Sequence, residues 1–282
     1  MSGGSGLAER EGLPRLGRRP SFTGYVRSLG AHRHLTTELA RSRFRAANED
    51  NRLGMAWILL RPLLNALVYG VIFGLLLRSD TRPDNFVPFL VLGVFVFQFF
   101  AGCLADGAKS ITGNLGLVRT LHFPRAVLPL SVVIQQVLAL GPMMAMAAVV
   151  VLVFGEPLTW RWVLVVPALG LMTLFCTGVA LVAARTTLHV RDVQQLIPFV
   201  SRLLFYISGV FFSVDRIGLP AAAEVVAQVN PVAVYITLVR SGLLTEVSAS
   251  PAQWALGAAW GVVGFVVGSV FFWRAEEEYG RV

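Results

Sequence analysis

Apolar residues in this chain run in long blocks rather than at every second position or at helical spacing. Six blocks stand out, near residues 56–77, 86–105, 127–154, 163–184, 196–214 and 253–273. Each is about 20 residues or longer, enough for a helix to cross the hydrocarbon core of a bilayer. The third is longer than needed and holds Gly141-Pro142, so a tilt or kink is expected there. Between the fifth and sixth blocks, residues 215–252 are too polar for a simple span and too apolar for a plain loop. Leu219-Pro220, Asn230-Pro231 and Ser250-Pro251 divide this stretch into two short helical pieces. They are expected as interfacial or re-entrant helices on the outer face. A seventh span near 229–245 is the alternative and would put the C-terminus outside. The fold class is an all-α integral membrane protein with six transmembrane helices.

Ahead of the spans the pattern changes. Residues 1–32, rich in Gly, Ser, Pro and Arg, read as a flexible cytosolic tail. Residues 33–52 read as a basic amphipathic helix suited to the headgroup layer. Arg41, Arg45, Asn48 and Arg52 share one face, and Leu35, Leu39 and Ala46 another. An ordinary solvated helix is the alternative. Residues 53–282 read as one transmembrane domain.

Composition strengthens this picture. Of 282 residues, 55% are hydrophobic and 14% charged, against about 25% charged in a soluble domain. The net charge of +8 is carried by arginines, Lys109 being the only lysine. The basic excess falls in alternate loops. Residues 1–55 hold ten arginines against five acids; 106–126 hold Lys109, Arg119 and Arg125 against Asp106; 185–195 hold Arg185 and Arg191 against Asp192. In the intervening loops Arg78 and Arg82 balance Asp80 and Asp84, and Arg161 balances Glu156. This alternation puts both termini in the cytosol and accounts for the charge without nucleic acid as partner. The arginines of residues 1–52 flank no apolar core, so no secretory signal is expected. Cys103 and Cys176 lie in apolar stretches and read as packed thiols.

The chemistry missing from the sequence narrows the class. No carboxylate lies in an apolar core, where ion-coupled transporters keep their proton or sodium carrier. Gly102, Gly107, Lys109 and Ser110 imitate a phosphate loop, but the lysine comes one position late and a membrane helix precedes it. His32, His34, His122 and His189 have no partners at zinc-ligand spacing. The chain therefore reads as a membrane component whose driving energy comes from a partner, with no cofactor of its own.

From residue 33 onward the chain resembles the ABC-2 type permeases, the membrane subunits of polysaccharide exporters. The resemblance rests on Arg41-Ser42-Arg43-Phe44-Arg45, Asn51-Arg52-Leu53-Gly54-Met55-Ala56-Trp57 and Arg61-Pro62-Leu63. It continues through Gly93 to Phe100, Asn114, and Leu117 to the Phe123-Pro124-Arg125 turn. Arg191-Asp192, Asn230-Pro231, Arg240 and the acidic Glu276-Glu277-Glu278-Tyr279 complete it. The likeness is nearest to O-antigen (Wzm-type) and mycobacterial galactan exporters, and more distant to teichoic-acid permeases. The chain departs at Ser208-Gly209-Val210-Phe211-Phe212, where many relatives have a Pro and Tyr. The resemblance implies a homodimer of six-helix subunits in the bacterial inner membrane, docked to two copies of a nucleotide-binding subunit that holds ATP and Mg. The implied cargo is a glycan on a polyprenyl pyrophosphate lipid. A drug or other lipid as cargo, or a channel or assembly protein needing no ATPase, are the competing readings.

On this basis loop 107–125 is the expected coupling element, with Asn114, Leu117, Val118, Arg119, Phe123 and Arg125 as its residues. Read by pattern alone it is an ordinary interhelical loop. For the substrate pathway the candidates are Phe97, Phe100, Phe205, Tyr206 and Phe211, because the apolar C–H faces of sugars pack on aromatic rings. The competing role for each ring is lipid-facing packing. Arg202 lies inside the fifth span, where an arginine costs roughly 2.5–3.5 kcal/mol on insertion scales. It is expected to face a wet cavity and suit a pyrophosphate, or else to snorkel to the cytosolic surface. Gly257, Gly261, Gly264 and Gly268 form one glycine face of the last span, expected to pack inside the subunit rather than between subunits.

Overall fold

With no water to serve them, backbone N–H and C=O groups in hydrocarbon must pair within their own segment, and the long apolar blocks accordingly fold as helices. The computed structural model describes residues 21–49, 54–76, 83–121, 123–212 and 221–276. Arg52, Arg78, Arg82, Pro220 and Glu277-Glu278-Tyr279 lie outside the described residues. Among those described there is no strand. The order is α1 (Phe22–Ala31), α2 (Arg33–Glu49), α3 (Ala56–Leu76), α4 (Phe86–Lys109), a 3-10 turn (Thr112–Asn114), α5 (Leu115–Thr120) and α6 (Val127–Val153). A second 3-10 turn (Trp160–Leu164) leads into α7 (Val165–His189), α8 (Val193–Ile207), α9 (Ala221–Val229), α10 (Pro231–Leu243) and α11 (Pro251–Arg274).

Five of these, α3, α4, α6, α7 with its leading turn, and α11, are long and apolar enough to cross a bilayer. The fifth block differs from expectation. Instead of one helix over 196–214, α8 has 15 residues and ends at Ile207. The chain then breaks at Gly209, whose φ of +66° is a left-handed value that a side chain disfavours. Hydropathy ran on through Val210-Phe211-Phe212 and could not register a break in the backbone. The alternative of a seventh span meets a 13-residue helix, α10, about 20 Å long at 1.5 Å per residue. That is short of a crossing. It starts inside the bundle, since the indole Nε1 of Trp260, ten residues into α11, donates to the carbonyl of Val229 at 2.9 Å. Asn230 caps α10 by accepting from the Val232 amide at 3.0 Å, and Pro231 supplies a first position that needs no partner.

The N-terminal region also differs. Part of the expected tail is helical, with α1 capped by Ser21 and carrying buried Tyr25. α2 continues from it and lies against α6. Its buried positions are Thr36 and Ala40 rather than the Leu35, Leu39, Ala46 face; Leu39 is half-buried, while Leu35 and Ala46 are exposed.

The core centres on α4, of whose apolar window 72% is buried, against 11% for α3 at the periphery. The long helix α6 runs unbroken through Pro142. The glycine face of α11 packs within the subunit. A Cβ on Gly257 would meet Leu238 of α10 at 2.8 Å, and one on Gly261 the Leu171 carbonyl of α7 at 3.0 Å. Cβ atoms on Gly178 or Gly268 would overlap the facing backbone of α11 or α7. At one end of the bundle the Glu156 carboxylate accepts from Asn85 Nδ2 at 2.6 Å and from the Thr245 amide and hydroxyl, each at 2.9 Å. Burial pushes its pKa up, but these hydrogen bonds outweigh that and hold it below the usual range.

Replacing Gly178 or Gly268 with Val is expected to destabilise the purified protein by at least the roughly 1–3 kcal/mol typical of overpacking. Gly141→Ala in α6, where a Cβ meets open space, is expected to stabilise by up to about 1 kcal/mol. Thermal unfolding in detergent reads both; equal shifts would contradict the α7–α11 contact.

Candidate functional site

Where α3, α4 and α8 meet, the structure opens a lateral cavity of about 240 Å³. Phe97 and Phe205 form its aromatic wall, with ring centroids 4.8 Å apart. Tyr69 of α3 stands 5.1 Å from Phe205. Polar groups line the rest: Asn65 of α3, Gln98 of α4, and Ser201 and Arg202 of α8. A polar side chain facing lipid is costly, so a cleft with an amide pair and a guanidinium calls for a polar occupant. Around it the surface is apolar and exposed, including Leu64, Leu67, Val68 and Val71 of α3 and Phe199 and Leu203 of α8.

The six pathway candidates therefore separate. Phe97, Arg202 and Phe205 line the cavity. Phe211 backs it: 1% exposed, stacked on Phe73 at 4.2 Å and lying 4.9 Å from Phe205 and 5.1 Å from Tyr69. Tyr206 is exposed on α8 beside Phe205 and Phe211 and does not line the cavity. Phe100 does not line the cavity; it packs behind Phe97, with centroids 5.9 Å apart, and stacks on Phe175 of the core at 6.3 Å. Its place one turn beyond Phe97 suggested a shared face, but α4 is buried nearly all round and offers a core on every side. Asn65, Tyr69 and Gln98 were missed. Their signal was present, as Asn65 and Tyr69 stand one turn apart and Gln98 interrupts an apolar run.

A second region gathers the coupling candidates at the end of the bundle opposite Glu156. Val118 and Phe123 are buried in a small core with Tyr25, Ile111, Leu128, Leu181 and Phe272. Asn114 closes the turn by donating to the Ser110 carbonyl at 2.8 Å. Leu117 is half-buried against the same core, while Arg119 is exposed at the tip. The base of the loop is held by one carboxylate. Glu276 accepts from the Arg125 amide at 3.1 Å and from the Tyr25 hydroxyl at 2.8 Å, with the Arg125 guanidinium 3.7 Å away. Phe22 adds an edge contact to Trp273 at 5.6 Å. Three parts remote in sequence, α1, the loop and the end of α11, are thereby joined. Nothing local in the sequence marks Tyr25 as their hub.

On α2, Arg41 and Arg45 are exposed, and Arg41 pairs with Glu38 at 2.9 Å. A pair this open to solvent adds little stability.

The sequence pattern of the ABC-2 type transporter family matches residues 34–244. Two O-antigen export system permease proteins RfbA of Klebsiella pneumoniae are similar to this chain. One is 29% identical over 66% of this chain and 70% of its own length. The other is 28% identical over 64% and 68%. An O-antigen export system permease protein RfbA of Myxococcus xanthus is 26% identical over 89% of this chain and 96% of its own.

Burial pushes the Glu276 carboxyl above its usual range, against the opposing hydrogen bonds from Arg125 and Tyr25. An acid with a raised folded pKa binds its proton more tightly when folded. Its stabilising effect is present below the ordinary value of about 4.3 and is lost as pH rises through the raised one. Glu276→Gln is expected to flatten the fall in thermal stability over that window; an unchanged profile would contradict the burial. At neutral pH, Tyr25→Phe is expected to destabilise by about 1–3 kcal/mol by orphaning a buried carboxylate oxygen.

Proposed function

Because this chain belongs to the ABC-2 type transporter family, we propose that it is the permease subunit of a polysaccharide exporter. The cargo in this reading is a glycan carried on a polyprenyl pyrophosphate lipid, of the O-antigen or galactan kind. The observation that carries it is the cleft between α3, α4 and α8, where Phe97, Phe205 and Tyr69 stand beside Asn65, Gln98 and Arg202. Rings offer flat faces to the C–H side of a sugar, amides exchange hydrogen bonds with its hydroxyls, and a guanidinium suits a pyrophosphate. The names of the relatives, all O-antigen export permeases, support the same cargo class.

Two copies make the path. The apolar faces of α3 and α8 beside the cleft would form the seam between them, so that the polar lining faces its counterpart instead of lipid. The subunit does no ATP chemistry in this reading. Two copies of a separate nucleotide-binding subunit hold ATP and Mg and push on loop 107–125, with Arg119 outermost. Residues 53–282 form the transmembrane domain, and α2 lies along the cytosolic headgroups with Arg41 and Arg45 towards them. Both termini are cytosolic in the bacterial inner membrane.

Depleting the protein from its native cell is expected to leave lipid-linked glycan on the cytosolic side. Unchanged glycan pools with drug hypersensitivity would instead favour a drug or lipid cargo. In the assembled complex, Arg119→Glu is expected to leave insertion intact and lower transport-linked ATP turnover. Normal turnover would remove Arg119 from the interface. Arg202→Gln is expected to reduce glycan export roughly tenfold, the effect of one lost contact of about 1.4 kcal/mol, with assembly unchanged. Export at the unaltered rate would remove Arg202 from the path.

A further inference from the structure

α8 ends beside the first turn of α4, and past its end the backbone leaves helical geometry at Gly209 and Val210. Arg240 of α10 meets them. Its Nη1 donates to the Gly209 carbonyl at 2.8 Å and its Nη2 to the Val210 carbonyl at 2.7 Å. Nε and Nη2 also reach the Phe89 carbonyl of α4, at 3.1 and 2.8 Å. The guanidinium lies over the Phe89 ring, 3.3 Å from its centroid, and the residue is 3% exposed. Space for it comes from Gly93, where a Cβ would overlap Nη2. A cation at this place also faces the negative end of the α8 dipole. Glu246 lines the same cavity, of about 160 Å³.

The residue after these carbonyls is Phe211, which joins the two helices flanking the cleft. It touches Tyr69 and Phe73 of α3 and Phe205 and Tyr206 of α8. α3 is otherwise thinly packed, so these rings are its main attachment to α8. Parting α3 from α8 would widen the cleft between Asn65 and Tyr69 on one side and Arg202 and Phe205 on the other.

We propose that Arg240 is the positioning residue of this aromatic joint: by clamping the Gly209-Val210 backbone to α4 it seats Phe211 and keeps the cleft narrow at rest. The inference rests on the reading of the cleft as the glycan path. A lysine cannot replace Arg240, because one ammonium does not present a planar fork to three carbonyls and a ring at once. Gly93 and Arg240 act as a pair, one giving the space that the other fills.

Cys103 and Cys176 are fully buried, so a single reporter, Val94→Cys, can be placed in the cleft wall, where the native side chain is buried. The complete transporter in proteoliposomes without nucleotide is treated with a small water-soluble maleimide on both sides. Labelling is expected to be slow in the reporter protein and roughly tenfold faster with either Arg240→Lys or Gly93→Ala, since it follows the population of the open form. Phe211→Leu, which leaves the clamp and removes the ring, is expected to do the same and serves if the other two fail to assemble. Labelling at the parent rate in assembled Arg240→Lys and Gly93→Ala, or in Phe211→Leu if they do not assemble, overturns the proposal. Lower thermal stability without faster labelling does so as well, because it marks a purely structural arginine. Glycan export in the same variants separates the two claims. Faster labelling with export unchanged leaves the clamp standing and removes the cleft from the glycan's route.

Discussion

Backbone that leaves helical geometry within a membrane protein must find hydrogen-bond partners outside its own segment, and this constraint governs the turn after α8, beside the first turn of α4. The break after Ile207, made at the left-handed Gly209, finds such partners. Arg240 supplies the donors for Gly209 and Val210, and Asn230 donates from Nδ2 to the Ser208 hydroxyl at 2.9 Å while capping α10. The hairpin of α9 and α10 thus serves the end of α8 with a cap and a cation.

α4 connects this region to the opposite end. It meets the clamp at Phe89, lines the cleft at Phe97 and Gln98, and runs on to Lys109, where the loop with Arg119 begins. The eleven residue-to-residue steps from Gln98 to Lys109 span about 16 Å of helix. Between them the Gln136 amide donates to Asp106 at 2.7 Å, tying α4 to α6 just before the loop. Gln136 also packs where Gly102 leaves room. A force on the loop would therefore reach the cleft along one rigid helix and its neighbour rather than through a chain of flexible contacts.

Three arginines illustrate how environment divides one residue type into separate tasks. Arg240 is enclosed and spends its donors on backbone. Arg202 stands at an open cleft among amides and rings. Arg119 is exposed at the tip of a loop whose other side is buried. The composition treats them alike, and all three stand in or next to apolar sequence.

The sequence by itself determined the class, because unbroken apolar blocks of bilayer length admit only helices. It also carried the starts of those helices to within a few residues, the break at Asn230-Pro231, and the inward role of the last span's glycines, since each of these is a local property. The family was legible in the order of short motifs along the chain. What only the tertiary structure decided was non-local. Hydropathy placed Phe211 inside a span, yet it lies in a turn held by an arginine 29 positions later. Phe97 and Phe100, one turn apart, serve a cleft and a core because α4 is surrounded on all sides. Tyr25, in what read as a tail, meets a carboxylate 251 residues away. Apolar burial is written residue by residue, but which carbonyl a buried donor must satisfy depends on where the chain returns.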